Sequence, residues 1–409
     1  MRTRLLAPLS LSLLLAAAPS ALAQKNGDDV SIGKYHVITS KVLGEDRTVL
    51  IHVPEGYETS NDKYPVLYVL GGSAGDLVEA VQATWHRALP RMIVVAIATT
   101  GYRLNTNRDL VPGGGSDGAE KYLRFISEEL FPYVEQRFRV ENHRTLYGES
   151  AMGVFVLHTL LERPDAFAGY IVSSPAVASR YAYMAAKATS AARPQPRRNT
   201  GLYVIYGDRD MLDVREGLVK YRPLLEALRS DTLSITIEDL PQETHVPSNS
   251  LSKGLKQIFD GYRYPQDQLA DEHLAKEGLP ALESHYEQVS RRLGFRVPVP
   301  QNDLMRLANL MLENGKSADL KAIARTYEQA FPEASGMVHL LLLVAHFRAN
   351  EMDLMKEHYR VLEPMLAQAA ATGWTPKISD WAKIVEAAKG GKSDPPGPRK
   401  RPATGPATR

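Results

Sequence analysis

The sequence predicts an α/β protein: a mostly parallel sheet with helices on both faces, followed by a small all-α region. Three observations carry this. Short apolar, β-branched runs alternate with amphipathic helical patterns from residue 34 to about residue 262, the sequence form of a sheet covered on both sides. From about residue 266 the strand-like runs cease and helical patterns dominate to residue 388. The length of 409 residues suits two domains, at roughly 100–200 residues each.

Residues 34–40 and 46–53 are strand-like runs on either side of Gly44-Glu45-Asp46, a hairpin signature. Further runs follow at 65–70, 92–99, 144–147, 170–173, 202–206 and 233–240. Between most of them lie helical patterns. The clearest is 119–137, which sets Tyr122, Phe125, Ile126, Leu130, Tyr133 and Val134 on one stripe. Helices are also expected at 154–161 and, closing the sheet, at 250–262. In the helical region, positions 34 apart pair Leu304 with Val338, Leu307 with Leu341, Met311 with Ala345, Leu320 with Leu354 and Tyr327 with Val361. That is tetratricopeptide spacing, with Asn314-Gly315-Lys316 as the turn inside a helix pair; an unrelated helical bundle would give similar coincidences.

The two ends differ from the body. Arg2 and Arg4, an apolar stretch of about 14 residues and Ala21-Leu22-Ala23 form an export leader with its cleavage site. The apolar stretch is short for a membrane span, and no later run approaches spanning length. The last 21 residues hold six basic residues and one acid, with Pro and Gly but almost no apolar side chains, and read as a disordered basic tail. The organisation expected is therefore 1–23 leader, 24–265 α/β domain, 266–388 helical domain and 389–409 tail, in a protein that is periplasmic or secreted. The formal net charge of +2 is a cancellation: without the basic ends, 41 basic residues stand against 46 acidic ones. Nothing here favours nucleic acid. Zero cysteines exclude disulfides, a cysteine nucleophile, thiolate metal sites and a lipid-modified N-terminal cysteine.

The chemistry centres on Tyr147-Gly148-Glu149-Ser150-Ala151-Met152-Gly153. A serine between a strand and a helix is the nucleophile elbow of an α/β-hydrolase fold. Gly148 and Ala151 are small, as the tight turn requires. Met152 stands where the usual motif has glycine, with Gly153 one residue later, so a large side chain must find room beside the elbow. A serine hydroxyl needs a base. His245, in the loop after run 233–240, is placed to supply it. The acid should follow run 202–206; Asp210 fits best, with Asp213, Asp208 and Glu216 as alternatives. The order Ser, Asp, His is that of this fold. Two backbone N–H groups should hold the oxyanion: that of Ala151, and that of Gly72 or Ser73 in the loop after run 65–70.

With these residues placed, 30–265 resembles the putative-esterase family of α/β-hydrolases, which includes enterobactin and salmochelin esterases and esterase D. The matching stretches are 64–70, 105–112, 121–126 with 129–133, Tyr147-Gly148-Glu149-Ser150, 163–167, Ser173-Ser174-Pro175 and Glu243-Thr244-His245. The resemblance implies an esterase acting through Ser150 and His245 on siderophore lactones, sugar-linked esters or simple acyl esters, with no cofactor or metal. It leaves the acid open. Arg108 and Glu149 are candidate substrate-binding residues; alternatively Arg108, with Asp109, braces a loop and Glu149 faces solvent. Some relatives carry a similar helical region, a place for a protein partner or self-association. The competing reading is an inactive scaffold that binds a partner through that region. An S-formylglutathione hydrolase fits poorly with export. If the leader is cleaved as expected, mass spectrometry of the exported protein will find Gln24 at its N-terminus; an intact Met1 would refute cleavage.

Overall fold

A computed structural model of the chain describes residues 31–86, 88–97, 112–113, 118–191, 193–331, 335–371 and 381–391. The expected leader, Arg108 with its loop, and the tail beyond residue 391 lie outside the described residues. The chain divides into two compact units. One takes the described residues up to Arg263 together with Val289–Arg296; the other takes Tyr264–Gln288 and the described residues from Val297 onward.

The first unit is built on eight strands: β1 (Lys34–Ser40), β2 (Glu45–His52), β3 (Tyr64–Leu70), β4 (Ile93–Ile97), β5 (Val140–Glu149), β6 (Gly169–Ser173), β7 (Thr200–Gly207) and β8 (Leu233–Leu240). Their order across the sheet is β1-β2-β4-β3-β5-β6-β7-β8. β1 and β2 pair antiparallel, as do β2 and β4, and every pairing from β4 through β3 to β8 is parallel. This is an α/β-hydrolase fold. All residues of β3, β4 and β6 are buried, as a centre covered on both faces requires. The helices of the unit are α1 (Ala74–Thr84), α2 (Gly118–Arg124), α3 (Phe131–Arg137), α4 (Ser150–Glu162), α5 (Tyr181–Thr189), α6 (Leu212–Glu226) and α7 (Ser250–Ile258). The helix expected at 119–137 is α2 and α3 joined by a π-helical stretch, Phe125–Leu130.

Alternation along the strands sorts the two faces. Val66, Tyr68, Leu146, Tyr170, Val172, Leu202 and Val204 share a core with Tyr122, Phe125, Phe155 and Leu218 from the helical segments of one side. On the other side α7 lies so close that a Cβ on Gly254 would sit 2.4 Å from Ile171 Cγ2, and Ile258 fills the space above Gly169 and Gly201. Strand glycines here are sites of close helix approach. The segment Val289–Arg296 belongs to this unit through His143 of β5. Its Nδ1–H donates to the Leu293 carbonyl at 3.2 Å, and its ring packs against Phe259 and Phe295. Burial lowers this imidazole to about 4, so it stays neutral and needs no counter-charge.

The second unit is helical: α8 (Gln268–Glu277), α9 (Leu279–Leu293, whose last residues belong to the first unit), α10 (Gln301–Glu313), α11 (Leu320–Ala330), α12 (Ser335–Arg348), α13 (Met352–Ala371) and α14 (Trp381–Ala388). The turn expected at Asn314-Gly315-Lys316 is present: Gly315 has φ 73°, and the Lys316 amide donates to Met311 O at 2.8 Å, closing a Schellman-type cap. The 34-residue spacing holds between α10 and α12, where Leu304, Leu307 and Met311 and their counterparts Val338, Leu341 and Ala345 are all buried. It fails between α11 and α13. Leu354 and Val361 are exposed, and Met355 and Leu362 take the buried places, a slip of one residue. The slip is present by the end of α12: both helix pairs turn at a left-handed residue, Gly315 and Asn350, and the matching caps, Lys316 N–H to Met311 O and Glu351 N–H to His346 O, stand 35 residues apart.

Three histidines meet where α12 faces α13. His339 and His358 bond Nδ1 to Nδ1 at 2.9 Å, so one ring must donate and the other must accept. His346 stacks on His358 and bonds Glu351 at 2.5 Å, and Lys321 of α11 reaches the same carboxylate. Burial, then the charges of His339 and His346, hold His358 below its ordinary 6.5, with Glu357 opposing. On acidification the unfolded chain therefore takes up protons first, so this contribution to stability is present above the ordinary histidine range and is lost as pH falls through it. The thermal midpoint of the helical transition should fall between about pH 7.5 and about pH 5, and His358→Gln should flatten that fall. An equal fall in both proteins would contradict the assignment.

Candidate active site

β5 runs to Glu149 and α4 begins at Ser150, with no residues between. The expected strand end at 147 and helix start at 154 are thus corrected. Glu149 is still extended (φ −123°, ψ 155°) and still in register with Ser173 of β6, while Ser150 has φ 52°. One left-handed residue makes the whole turn. For a side chain with a Cβ that conformation costs about 1–3 kcal/mol and persists only where the surroundings over-determine it.

The neighbours show how. A Cβ on Gly148 would sit 2.8 Å from Met152 O and 2.9 Å from Val156 Cγ2, so only glycine lets the first turn of α4 fold back over the strand end. A Cβ on Gly153 would lie 3.1 Å from Val172 Cγ1, so this glycine supplies the close helix-to-strand approach. Met152 has room: its Cε reaches toward Gly71, 3.7 Å from where a Cβ there would be. The Ser150 carbonyl accepts from the Ala176 amide at 3.2 Å. The Ala151 amide lies in the first turn of α4, where backbone N–H groups lack intrahelical partners and the helix dipole is positive.

The loop after β3 opens with Gly71 at φ 118°. Ser73 caps α1 with a capping box: its hydroxyl accepts from the Asp76 amide at 3.1 Å, and its own amide donates to Asp76 Oδ2 at 2.8 Å. The Ser73 N–H is therefore already engaged, and Gly72 is the remaining candidate donor in that loop. Glu149 is half-buried. Its carboxyl is raised above the ordinary range by burial, then by the charges of Glu79 and Asp76 of α1, against an opposing effect of His245. Glu149 thus shares its surroundings with the histidine.

Among the acids considered, Asp210 is the one that meets His245. His245 Nδ1–H donates to Asp210 Oδ1 at 2.7 Å. The Asp210 side chain is fully buried, whereas His245 is 30% exposed. The Met211 amide donates to the same oxygen at 2.7 Å, and Oδ2 accepts from the Ser174 hydroxyl at 2.5 Å. The alternatives are occupied elsewhere. Asp208 accepts from the Gln242 amide, Asp213 from the Val214 amide at the start of α6, and Glu216 is exposed. Arg108 lies outside the described residues. Among the described residues, no group of three or more His, Asp or Glu is placed to hold a metal ion. Sequence reasoning missed Ser174 as a site residue; the signal was a serine directly after an apolar strand run and before Pro175.

The loop carrying His245 is held against the end of β7 by main-chain bonds, Arg209 N–H to Glu243 O and Asp208 N–H to Leu240 O, both 2.9 Å.

Comparison with known proteins places the chain beside esterases. Residues 40–218 match the family model described as "Putative esterase". The ferri-bacillibactin esterase BesA of Bacillus subtilis is 33% identical over 139 residues, 28% of this chain and 48% of that protein. The siderophore triacetylfusarinine C esterase of Aspergillus fumigatus is 34% identical over 143 residues, 30% of this chain and 48% of that protein. The chain spans about half the length of these curated relatives. The crystal structure of an IroE-like serine hydrolase from Shewanella oneidensis superposes with a TM-score of 0.58 at 19% identity, over 73% of this chain and 99% of the other, a likeness of fold.

The closest approach at the site makes a prediction. A Cβ on Gly207 would lie 2.1 Å from Glu243 O, a backbone atom, whereas one on Gly201 would meet the movable tip of Ile258 at 2.8 Å. Gly207→Ala should cost about 3 kcal/mol or more, and Gly201→Ala about 1 kcal/mol, in denaturant unfolding. Equal costs would contradict the account.

Proposed function

We propose that this protein, whose residues 40–218 match the "Putative esterase" family model, hydrolyses esters and does so as a serine hydrolase. The observation that carries the reading is the buried Asp210 bonded to His245 Nδ1, on the same edge of the sheet as the left-handed Ser150. With Nδ1–H held by Asp210, the Nε2 lone pair of His245 is free to act as base. Ser150 Oγ attacks the ester carbonyl and gives its proton to Nε2. The amides of Ala151 and Gly72 stabilise the oxyanion. The tetrahedral adduct collapses as the imidazolium protonates the leaving alkoxide, which departs as the alcohol and leaves an acyl-enzyme. Water, deprotonated by the same nitrogen, releases the acid and restores Ser150.

The two relatives are named for siderophore esters, so a siderophore ester is the substrate class we propose first; a sugar-linked or simple acyl ester is the second. Glu149, beside the nucleophile, and Arg108 are the proposed substrate contacts. The protein would act in the periplasm or outside the cell, delivered by its leader. No described helix is long and apolar enough to cross a membrane. The inactive-scaffold reading rested on the size of Met152 and on the appended helical region; the room beside Gly71 speaks against the first motive, and labelling of Ser150 tests the reading itself.

A fluorophosphonate probe should label the wild type and not Ser150→Ala, and nitrophenyl acetate or butyrate should be hydrolysed. A folded sample that neither labels nor hydrolyses would overturn the proposal. Asp210→Asn should lower kcat by about 10³- to 10⁴-fold with little change in folding, while Asp213→Asn and Glu216→Gln should stay within about threefold, since neither touches the histidine.

A further inference from the structure

We infer that Ser174 is a positioning residue that locks the acid and the base loop into one geometry; the inference rests on the serine-hydrolase reading above. Ser174 follows β6 directly and is fully buried. Its hydroxyl donates its single proton to Asp210 Oδ2 at 2.5 Å and accepts from the Val246 amide at 2.9 Å. One side chain therefore joins the carboxylate after β7 to the residue next to His245 after β8. Its own amide donates to Ile205 O at 2.8 Å, and two residues on the Ala176 amide donates to Ser150 O at 3.2 Å. The short segment 174–176 thus touches the nucleophile's backbone, the acid and the base loop at once.

The backbone argues that the hydroxyl is what matters. Ser174 has φ 46°, a region that glycine enters freely and other residues rarely. A position selected only for its turn would favour glycine; here a serine stands against its backbone preference. The chemistry explains why. Asp210 Oδ1 already takes two N–H donors, which leaves the carboxylate able to swing about its Cβ–Cγ bond. The Ser174 proton on Oδ2 fixes the plane of the carboxylate and completes the solvation of a buried charge. The accepting side of the same hydroxyl holds Val246, itself left-handed at φ 55°.

Glycine and alanine at this position separate the two roles. Both remove the hydroxyl, but only glycine relieves the backbone. If Ser174 positions the pair, Ser174→Gly and Ser174→Ala should each lower kcat on nitrophenyl butyrate by about 10- to 100-fold with KM unchanged. In an Asp210→Ala background, Ser174→Gly should cost less than about twofold, because its partner is gone. The low-field proton resonance of His245 Nδ1–H, assigned by its absence from His245→Gln, should broaden or vanish in Ser174→Gly. A turn-only role predicts the opposite: wild-type kcat and resonance in Ser174→Gly and damage only in Ser174→Ala. That outcome would overturn the inference. Failure of the serine-hydrolase reading would look different, since the wild type itself would then neither label nor turn over, while the resonance would still report on the clamp.

Discussion

The site depends on backbone held in the left-handed region by the loops around it. Among the described residues, six other than glycine have positive φ, and five of them, Ser150, Ser174, Gln242, Val246 and Asn249, lie in loops at one edge of the sheet or at the helix end that follows. Such residues persist only where neighbours over-determine them. At Ser150 the neighbours are Gly148, which admits the returning helix, and Ala176, which donates to the serine's carbonyl. At Ser174 and Val246 each holds the other through one hydrogen bond. Strain placed at three loop ends is thus mutual, and each loop is the scaffold of the next.

The sheet makes this possible by fixing where the loops start. β5, β6, β7 and β8 are consecutive neighbours in parallel register, so their carboxyl ends line one edge, where open α/β sheets place their sites. The strands are pinned from both faces. Gly169, Gly201 and Gly254 allow α7 to lie close against β6 and β7, where an added Cβ would require its neighbours to shift. Rigidity below the edge is what lets single residues, instead of long loops, carry the geometry above it.

How much of this could be read from the sequence varied with the kind of signal. Runs of alternating, β-branched character gave strands almost to the residue: 34–40 and 233–240 coincide with β1 and β8. β5 was read short because Glu141 and Asn142, partly or fully exposed at its start, break the apolar run. The elbow was legible as a motif but not as a turn of one residue, since left-handed serine has no compositional mark. Asp210 was distinguishable from Asp208 and Asp213 only by distance: all three are turn-forming residues in one short loop, and what separates them is which atom each faces across it. The slip between Leu354 and Met355 was hidden for a related reason, because a repeat read at fixed spacing cannot register one extra residue between its buried positions.

Burial divides the labour within the pair. Asp210 has no exposed side-chain surface, while His245 keeps about a third of its own. A fully buried carboxylate is tolerable only when its oxygens are satisfied, and here donors from three different loops converge on it: the Met211 amide beside it, the Ser174 hydroxyl after β6 and the His245 ring after β8. Because those donors are directional, the carboxylate has one low-energy orientation, and the imidazole it holds inherits that orientation. In the mechanism proposed above, the histidine, about a third exposed, presents its other nitrogen to Ser150 and a substrate while the acid stays buried. The ordering of the base is therefore a consequence of how the acid is solvated, and that solvation is provided by loops the sheet brings to one edge.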